Sequence, residues 1–442
     1  MEERRVIGRA LNVLKETKDS EFWKKYITKE SAFSRVGSQK MSVHDMTMFT
    51  MANTGKTLSI EIFEFFEHMN KPDDAVTKQA LSKQRQYVDS KIFSDLNKLY
   101  VKKSYACSNR TFCGYNVIAV DGSTMEIPNT KEMKEIYGAA KASKTSSSNA
   151  RIGLNGFYDP LNNFLIRLVV DKYQKAEKTV FLENIDELLE MYARDKILFI
   201  FDRGYICMEL LLKLSELGVK YLFRLPSYCY KEEREKATKK DEVIEIKITR
   251  ARMKGVDKDK QKAYLLQGFK SERLVQVELD TGDIEYLLTN LSSQEVSSEE
   301  MKDLYWQRWH IEKCFNILKN RLHIENISAR TKNGVEQDIQ ATVFLGNIIA
   351  DMAKEINLQI PKKAKNKYEY RVNVNVLAGV VKTYFHYFFF TEAATHEIRE
   401  KYQKRLLEFV KSKIIARKTG ITNPRIVKVS RNKHKTNIRR NM

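Results

Sequence analysis

The chain has 442 residues, 42% of them apolar and 31% charged, with a formal net charge of +21. That length carries two or three domains with a sizeable core, and the balance is that of a soluble globular protein. The five cysteines (Cys107, Cys113, Cys207, Cys229 and Cys314) form no CxxC pair. A zinc site and a disulfide framework are therefore excluded, a reducing cytoplasm fits, and any bound metal must be held by carboxylates.

The opening MEERRVIGRALNVLK alternates charged and apolar residues and has no unbroken apolar core, so it does not read as a secretory signal. Residues 1–110 read as helices. SIEIFEFFEHMN is amphipathic and is broken by Lys71-Pro72-Asp73-Asp74, and a second helix is expected from Thr77 through VTKQALSKQRQYVDSKIFSDLN. Helix, short turn and a helix rich in Lys, Gln, Ser and Arg is the format of a helix-turn-helix DNA reader. Gln79, Lys83, Gln84 and Arg85 are its candidate base or phosphate contacts. A plain solvated helix surface gives the same pattern.

From about residue 115 the pattern changes to strands. NVIAVDG is an apolar run ending in Asp121, and ARIGLNGFYDPLNNFLIRLVVDKY reads as two strands joined at Asp159-Pro160 and Asn162-Asn163. A helix follows, EKTVFLENIDELLEMYARD, and then KILFIFDRGYI, a second apolar run, ending in Asp202. The helix CMELLLKLSELG and the strand VKYLFRL complete an alternating α/β segment. Residues 226–296 look different: EVIEIKIT, KAYLLQGF and the hairpin-like RLVQVELDTGDIEYLLTNL read as a mainly β insertion. The chain then returns to helix until about residue 415. Within that region VVKTYFHYFFF is too short to span a bilayer and reads as a buried helix. Residues 411–442 contain 11 Lys or Arg and no Asp or Glu, a polyanion-seeking tail that favours nucleic acid over a membrane.

Asp121 and Asp202 each close an apolar strand and precede a glycine turn. Either each is a turn residue, or the two converge on one edge of a sheet with helical crossovers, where sites form. Ser297-x-x-Glu300 is a capping box that starts a helix near Ser298. At about 100° per residue, Tyr305, Arg308, Glu312 and Lys319 fall within an arc of roughly 60° along about 20 Å of that helix. They border the apolar stripe of Leu304, Ile311, Phe315, Leu318 and Leu322. Glu312 can therefore look into a cleft, although a solvated face of spaced charges remains an alternative. Asp159, Asp171 and Glu177 lack this setting, and His310 and His323 read as surface or structural residues.

Tyr305, Arg308, Glu312 and Lys319 form Y-x2-R-x3-E-x6-K, which resembles the signature of the "IS-four" family of bacterial insertion-sequence transposases, within the Asp-Asp-Glu (DDE) transposases. AVDGS around Asp121 and FDRGY around Asp202 resemble the family's other two catalytic motifs. YLLTNL resembles the approach to its third motif, and VTKQALSKQRQYV its DNA-binding entry segment. The resemblance implies an α/β fold with an RNase H-like core. Its layout would be a helical DNA-binding domain (1–110), core segments (111–225 and 297–335), a β-rich insertion (226–296), a helical region (336–410) and a basic tail (411–442). It implies that Asp121, Asp202 and Glu312 are catalytic and hold two magnesium ions, with manganese as a substitute. Tyr305, Arg308 and Lys319 would contact DNA, and Trp309 would either contact DNA or pack in the core or an interface. The implied partners are double-stranded DNA, as terminal inverted repeats and as target, and a second copy of the chain in a synaptic homodimer. The implied setting is the bacterial cytoplasm, nucleoid-associated when bound to DNA. The tryptophans, Trp23, Trp306 and Trp309, all lie outside the insertion, so a base-holding aromatic there would have to be Tyr228, Tyr230, Tyr264 or Tyr286. A transposase-derived DNA-binding protein without cutting activity is the alternative.

Overall fold

The computed structural model describes residues 5–33, 41–140, 148–279, 282–361, 368–390 and 395–417. The basic tail beyond residue 417 lies outside the described residues. In chain order, the helices α1 (Val6–Lys15), α2 (Ser20–Trp23), α3 (Val43–Ala52), α4 (Leu58–His68), α5 (Lys78–Arg85) and α6 (Lys91–Cys107) come first. They are followed by β1 (Asn116–Glu126), α7 (Lys131–Tyr137), β2 (Arg151–Asp159), β3 (Phe164–Lys172), α8 (Glu177–Leu189), β4 (Ile197–Phe201), α9 (Met208–Glu216) and β5 (Lys220–Arg224). Next are α10 (Lys231–Glu235), β6 (Asp241–Lys247), α11 (Lys258–Gln267), β7 (Phe269–Glu278) and β8 (Ile284–Thr289). The last elements are α12 (Ser298–Trp306), α13 (Trp309–Asn320), α14 (Lys332–Leu358), β9 (Glu369–Val372), α15 (Val374–Thr383), α16 (Phe385–Phe389), α17 (His396–Ser412) and β10 (Ile414–Arg417).

These elements form two compact units. One comprises Met1–Cys107, Thr124–Ile152 and Asn316–Met442, and the other Ser108–Ser123 and Gly153–Phe315. The first unit is organised on α14, which is buried along most of its length. Asp351 of α14 accepts from Arg9 at 2.6 Å and from the Tyr100 hydroxyl at 2.9 Å. Asp338, one face along, pairs with Arg85 of α5 at 2.6 Å. Buried ions of this kind persist because each charge and its remaining hydrogen-bonding positions find partners.

The second expected helix does not run on from Thr77 to Asn97. Thr77 caps α5, its hydroxyl accepting from Ala80 N at 3.2 Å, but the helix stops at Arg85. The backbone is then captured by other partners. Asp89 N donates to Tyr26 O, Val88 O accepts from Asn333 Nδ2, and the Asp89 carboxylate accepts from Lys91 N to start α6.

The second unit is built on one mixed sheet with strand order β3-β2-β1-β4-β5-β8-β7-β6. β1, β4 and β5 run parallel, as helical crossovers require, while β8 joins β5 antiparallel. The alternation along the strands sets two core faces. Ile118, Val120, Phe199 and Phe201 pack with residues of α8 and α9, among them Phe181, Ile185, Leu210 and Leu211. Val117, Leu198, Ile200 and Leu222 point the other way and pack with Met301, Leu304 and Tyr305 of α12. Residues 226–296 do not make a sheet of their own: β6, β7 and β8 lengthen the same sheet. Within that segment KAYLLQ is helical, not extended. Asp257 caps α11, and Gly268, at φ +77°, ends it and releases the chain into β7.

Candidate active site

Val120 on β1 is in register with Phe201 on β4, so Asp202, just past the end of β4, follows beside Asp121, where β1 does not turn at Asp121-Gly122 but runs on to Glu126. Continuing the alternation, both fall on the face that carries Val117, Leu198 and α12. Neighbouring strands are about 4.8 Å apart, which brings the two acids side by side. The Asp121 carboxylate also accepts from the Gly122 N–H at 2.9 Å.

The third acid arrives from the α12–α13 junction. Ser297 and Glu300 form a reciprocal capping box that starts α12, as the sequence indicates. The expected continuous helix is interrupted, however, at Gln307 and Arg308. There the backbone makes tight i to i+3 bonds, Arg308 N to Tyr305 O and Ile311 N to Arg308 O. The break turns Arg308 inward. Its side chain is 2% exposed, with Nη2 3.1 Å from Glu312 Oε1 and Nη1 3.5 Å from Asp121 Oδ2. The guanidinium lies over the Trp309 ring, 4.3 Å from its centroid, and a face of Tyr305 is 5.9 Å away. Trp309 is thus a platform for Arg308, a cation–π arrangement that fixes the plane of the guanidinium. Arg308 Nε and Nη1 have no hydrogen-bond partner.

Close approach of α13 to the sheet depends on Gly156 of β2. A Cβ there would meet Phe315 Cζ at 3.0 Å and Ile311 Cδ1 at 3.3 Å, the residues on either side of Glu312 in sequence. Tyr305 is buried at 3% exposure and its hydroxyl has no hydrogen-bond partner. Burial pushes that hydroxyl's pKa up, with Arg308 opposing and Asp202 reinforcing the shift.

The electrostatics are those of acids crowded around one buried cation. Burial raises the Asp121 pKa to about 7; the Gly122 N–H and Arg308 pull it down, and the charges of Glu177 and Asp202 push it up. Burial works against the Arg308 charge, but Tyr305, Asp202, Asp121 and Glu312 together raise its pKa above the ordinary value.

Lys319 belongs to the first unit, where its ammonium donates to Thr124 O at 2.7 Å. Lys83 is exposed on α5. Arg85 does not face solvent. It is 6% exposed and bonds Gln337, Ser328, Gly334 O and Asp338, so its charge is committed inside the first unit and a DNA contact through it is not supported.

Glu177, set aside in the sequence, interacts electrostatically with Asp121 and Asp202. Desolvation raises its pKa first, and the charge of Asp202 adds to that. As the first residue of α8 it looks like an ordinary acid at a helix N-terminus, which hid it. The one available signal was the glycine after Asp121.

The donor set suits a hard divalent cation, since every candidate ligand is a carboxylate oxygen. As the side chains stand, with Arg308 in contact with both Asp121 and Glu312, no three His, Cys, Asp or Glu among the described residues surround one metal position. Also among the described residues, no helix is long and apolar enough to cross a membrane.

No curated protein sequence matches the chain. Solved structures do match. In one, a cryo-electron microscopy structure of the piggyBac transposase synaptic complex with hairpin DNA, the identity is 10% and the TM-score 0.43, over 94% of this chain and 87% of that one. So remote a likeness carries no inference. The family described as transposase DDE domain matches residues 113–348, a span that includes Asp121, Asp202 and Glu312. The match takes in more than half of the chain, which therefore belongs to the transposase DDE domain family.

Proposed function

We propose that the chain is a DNA transposase of the "IS-four" type, which binds the terminal inverted repeats of an insertion sequence, hydrolyses the phosphodiester at each end and joins the freed 3′-OH to target DNA. The observation that carries this reading is the buried Arg308, in contact with Asp121 and Glu312 and under the electrostatic influence of Asp202 at one sheet edge. Family membership supports it.

In this reading Asp121, Asp202 and Glu312 would hold divalent cations, normally magnesium. When bound, such ions supply the Lewis-acid chemistry of phosphoryl transfer, activating the attacking oxygen and stabilising the leaving one. The chain's own residues do the positioning. β1 and β4 set two acids side by side, and Gly156 lets α13 bring the third. Trp309 holds the plane of Arg308, whose fork spans Asp121 and Glu312 and leaves Nε for a phosphate oxygen. Tyr305 backs the guanidinium. Lys83 and Lys319 offer positive charge to the DNA backbone. A second copy of the chain would hold the other end of the element.

The test uses the DNA flanking the gene, with its ends supplied intact or pre-cleaved, plus magnesium and a target plasmid. A transposase cuts the first and joins the second. Cutting without joining would make the chain a nuclease of the same family. Specific binding with neither reaction, in magnesium or manganese, would make it a DNA-binding derivative.

A further inference from the structure

The acids described so far reach the sheet edge from one face. Gly122, the next residue along β1, alternates to the other face, the side packed by α8. A Cβ built on Gly122 would overlap the Glu177 carboxylate and stand 2.9 Å from Glu177 Cγ. Glu177 therefore crosses β1 at Gly122 through the space a side chain would fill. It is close enough to Asp121 and Asp202 to interact with both electrostatically. Behind it lies Tyr205, three residues beyond Asp202, with its backbone N–H bonded to Asp202 O at 3.2 Å. The Tyr205 side chain is 2% exposed, and its hydroxyl, directed at the Glu177 carboxylate, has no hydrogen-bond partner of standard geometry. On the opposite face buried Arg308 pairs with Asp121 through Nη1 at 3.5 Å, and its Nε has no hydrogen-bond partner. A buried donor left without a partner beside crowded acids is expected of a site shaped around a ligand.

We propose that Glu177 is a fourth carboxylate of the metal site, admitted by the glycine at position 122 and oriented by Tyr205. This rests on the reading of Asp121, Asp202 and Glu312 as metal-holding acids. A fourth oxygen donor suits that chemistry, because magnesium and manganese prefer sites rich in oxygen ligands. It also gives a physical reason for glycine after Asp121, since any larger residue would push the carboxylate away.

The experiment is manganese binding by the full-length, DNA-free protein, followed by electron paramagnetic resonance of free Mn2+. Glu177→Gln should weaken binding about tenfold or more, the scale on which metal sites respond to loss of a supporting group. Asp202→Asn should also weaken it. Glu183→Gln, whose carboxylate pairs with Lys175 further along the same helix, should not. Gly122→Ala should reproduce the Glu177→Gln defect and add nothing to it in the double variant. Wild-type Mn2+ affinity in Glu177→Gln alongside a loss in Asp202→Asn would overturn the proposal and leave the proposed function standing. No loss in either variant would overturn both. Unchanged thermal melting of Glu177→Gln separates a binding defect from unfolding.

Discussion

Replacing Arg85 with alanine decides whether the short helix α5 is read as a DNA surface or as a structural clamp. The guanidinium makes four hydrogen bonds, to Gln337 Oε1, Ser328 Oγ, Gly334 O and Asp338 Oδ1, the last three at 2.6, 3.2 and 2.6 Å. Its side chain and that of Asp338 are 7% and 5% exposed, so removal leaves a carboxylate with little access to water. Breaking one side of such a pair costs about 3–5 kcal/mol. Asp338 keeps the Ser328 N–H and hydroxyl as donors, which places the expected loss near ~3 kcal/mol. For a unit of this size that corresponds to a fall in melting temperature of about 10 °C. Exposed Lys83→Ala, two residues earlier, should change stability by less than ~0.5 kcal/mol. The assay pairs thermal denaturation of each variant with DNA binding at fixed salt. The double variant Arg85→Met/Asp338→Leu should recover part of the loss, because apolar replacement of both partners removes the stranded charge. Wild-type melting of Arg85→Ala with a tenfold loss of DNA affinity would refute the structural reading.

Two further predictions concern other buried charges. Arg308→Lys keeps the positive charge but loses the fork that spans Asp121 and Glu312; DNA binding should persist while cleavage falls about 10²-fold, the scale of one preorganised donor, and wild-type cleavage would contradict this. His386 stacks on His68 with ring centroids 3.7 Å apart, and burial, with His68 adding, lowers its pKa to about 4. Because the folded-state pKa lies below the unfolded value near 6.5, this contribution to stability is full above about pH 6.5 and is lost as pH falls toward 4. Allowing for partial solvent access, the loss is about 1–2 kcal/mol. Melting curves at pH 7.5 and 5 should therefore converge in His386→Phe, and an unchanged pH dependence would count against the assignment.

What was legible in the sequence follows the range of the forces involved. Apolar runs that end in Asp121 and Asp202 announce strands because alternation and turn chemistry are local. The Ser297–Glu300 capping box is equally local and appears where the sequence puts it. The burial of Arg85 was not legible because its partner, Asp338, lies 253 residues away. The break at Gln307 and Arg308 was hidden because both residues are acceptable inside a helix, while Arg308 meets Asp121, a residue far away in sequence. That break also means a single helical wheel does not describe Tyr305, Arg308, Glu312 and Lys319, even though Arg308 and Glu312 still meet. The strands of residues 226–296 were visible as strands, but their pairing with β5 is a long-range choice that no local pattern records. Glu177 escaped for the same reason, since its place beside Asp121 comes from the packing of α8 and the bare Cα of Gly122.

The most direct test of the central claim is magnesium-dependent cleavage of the element's end DNA by wild-type protein and by Asp121→Asn, Asp202→Asn and Glu312→Gln. The account expects nicking by wild type, and in each variant a loss of at least about 10³-fold with retained DNA binding, as for groups that act together on one transition state. Cleavage that survives any of the three substitutions would contradict it.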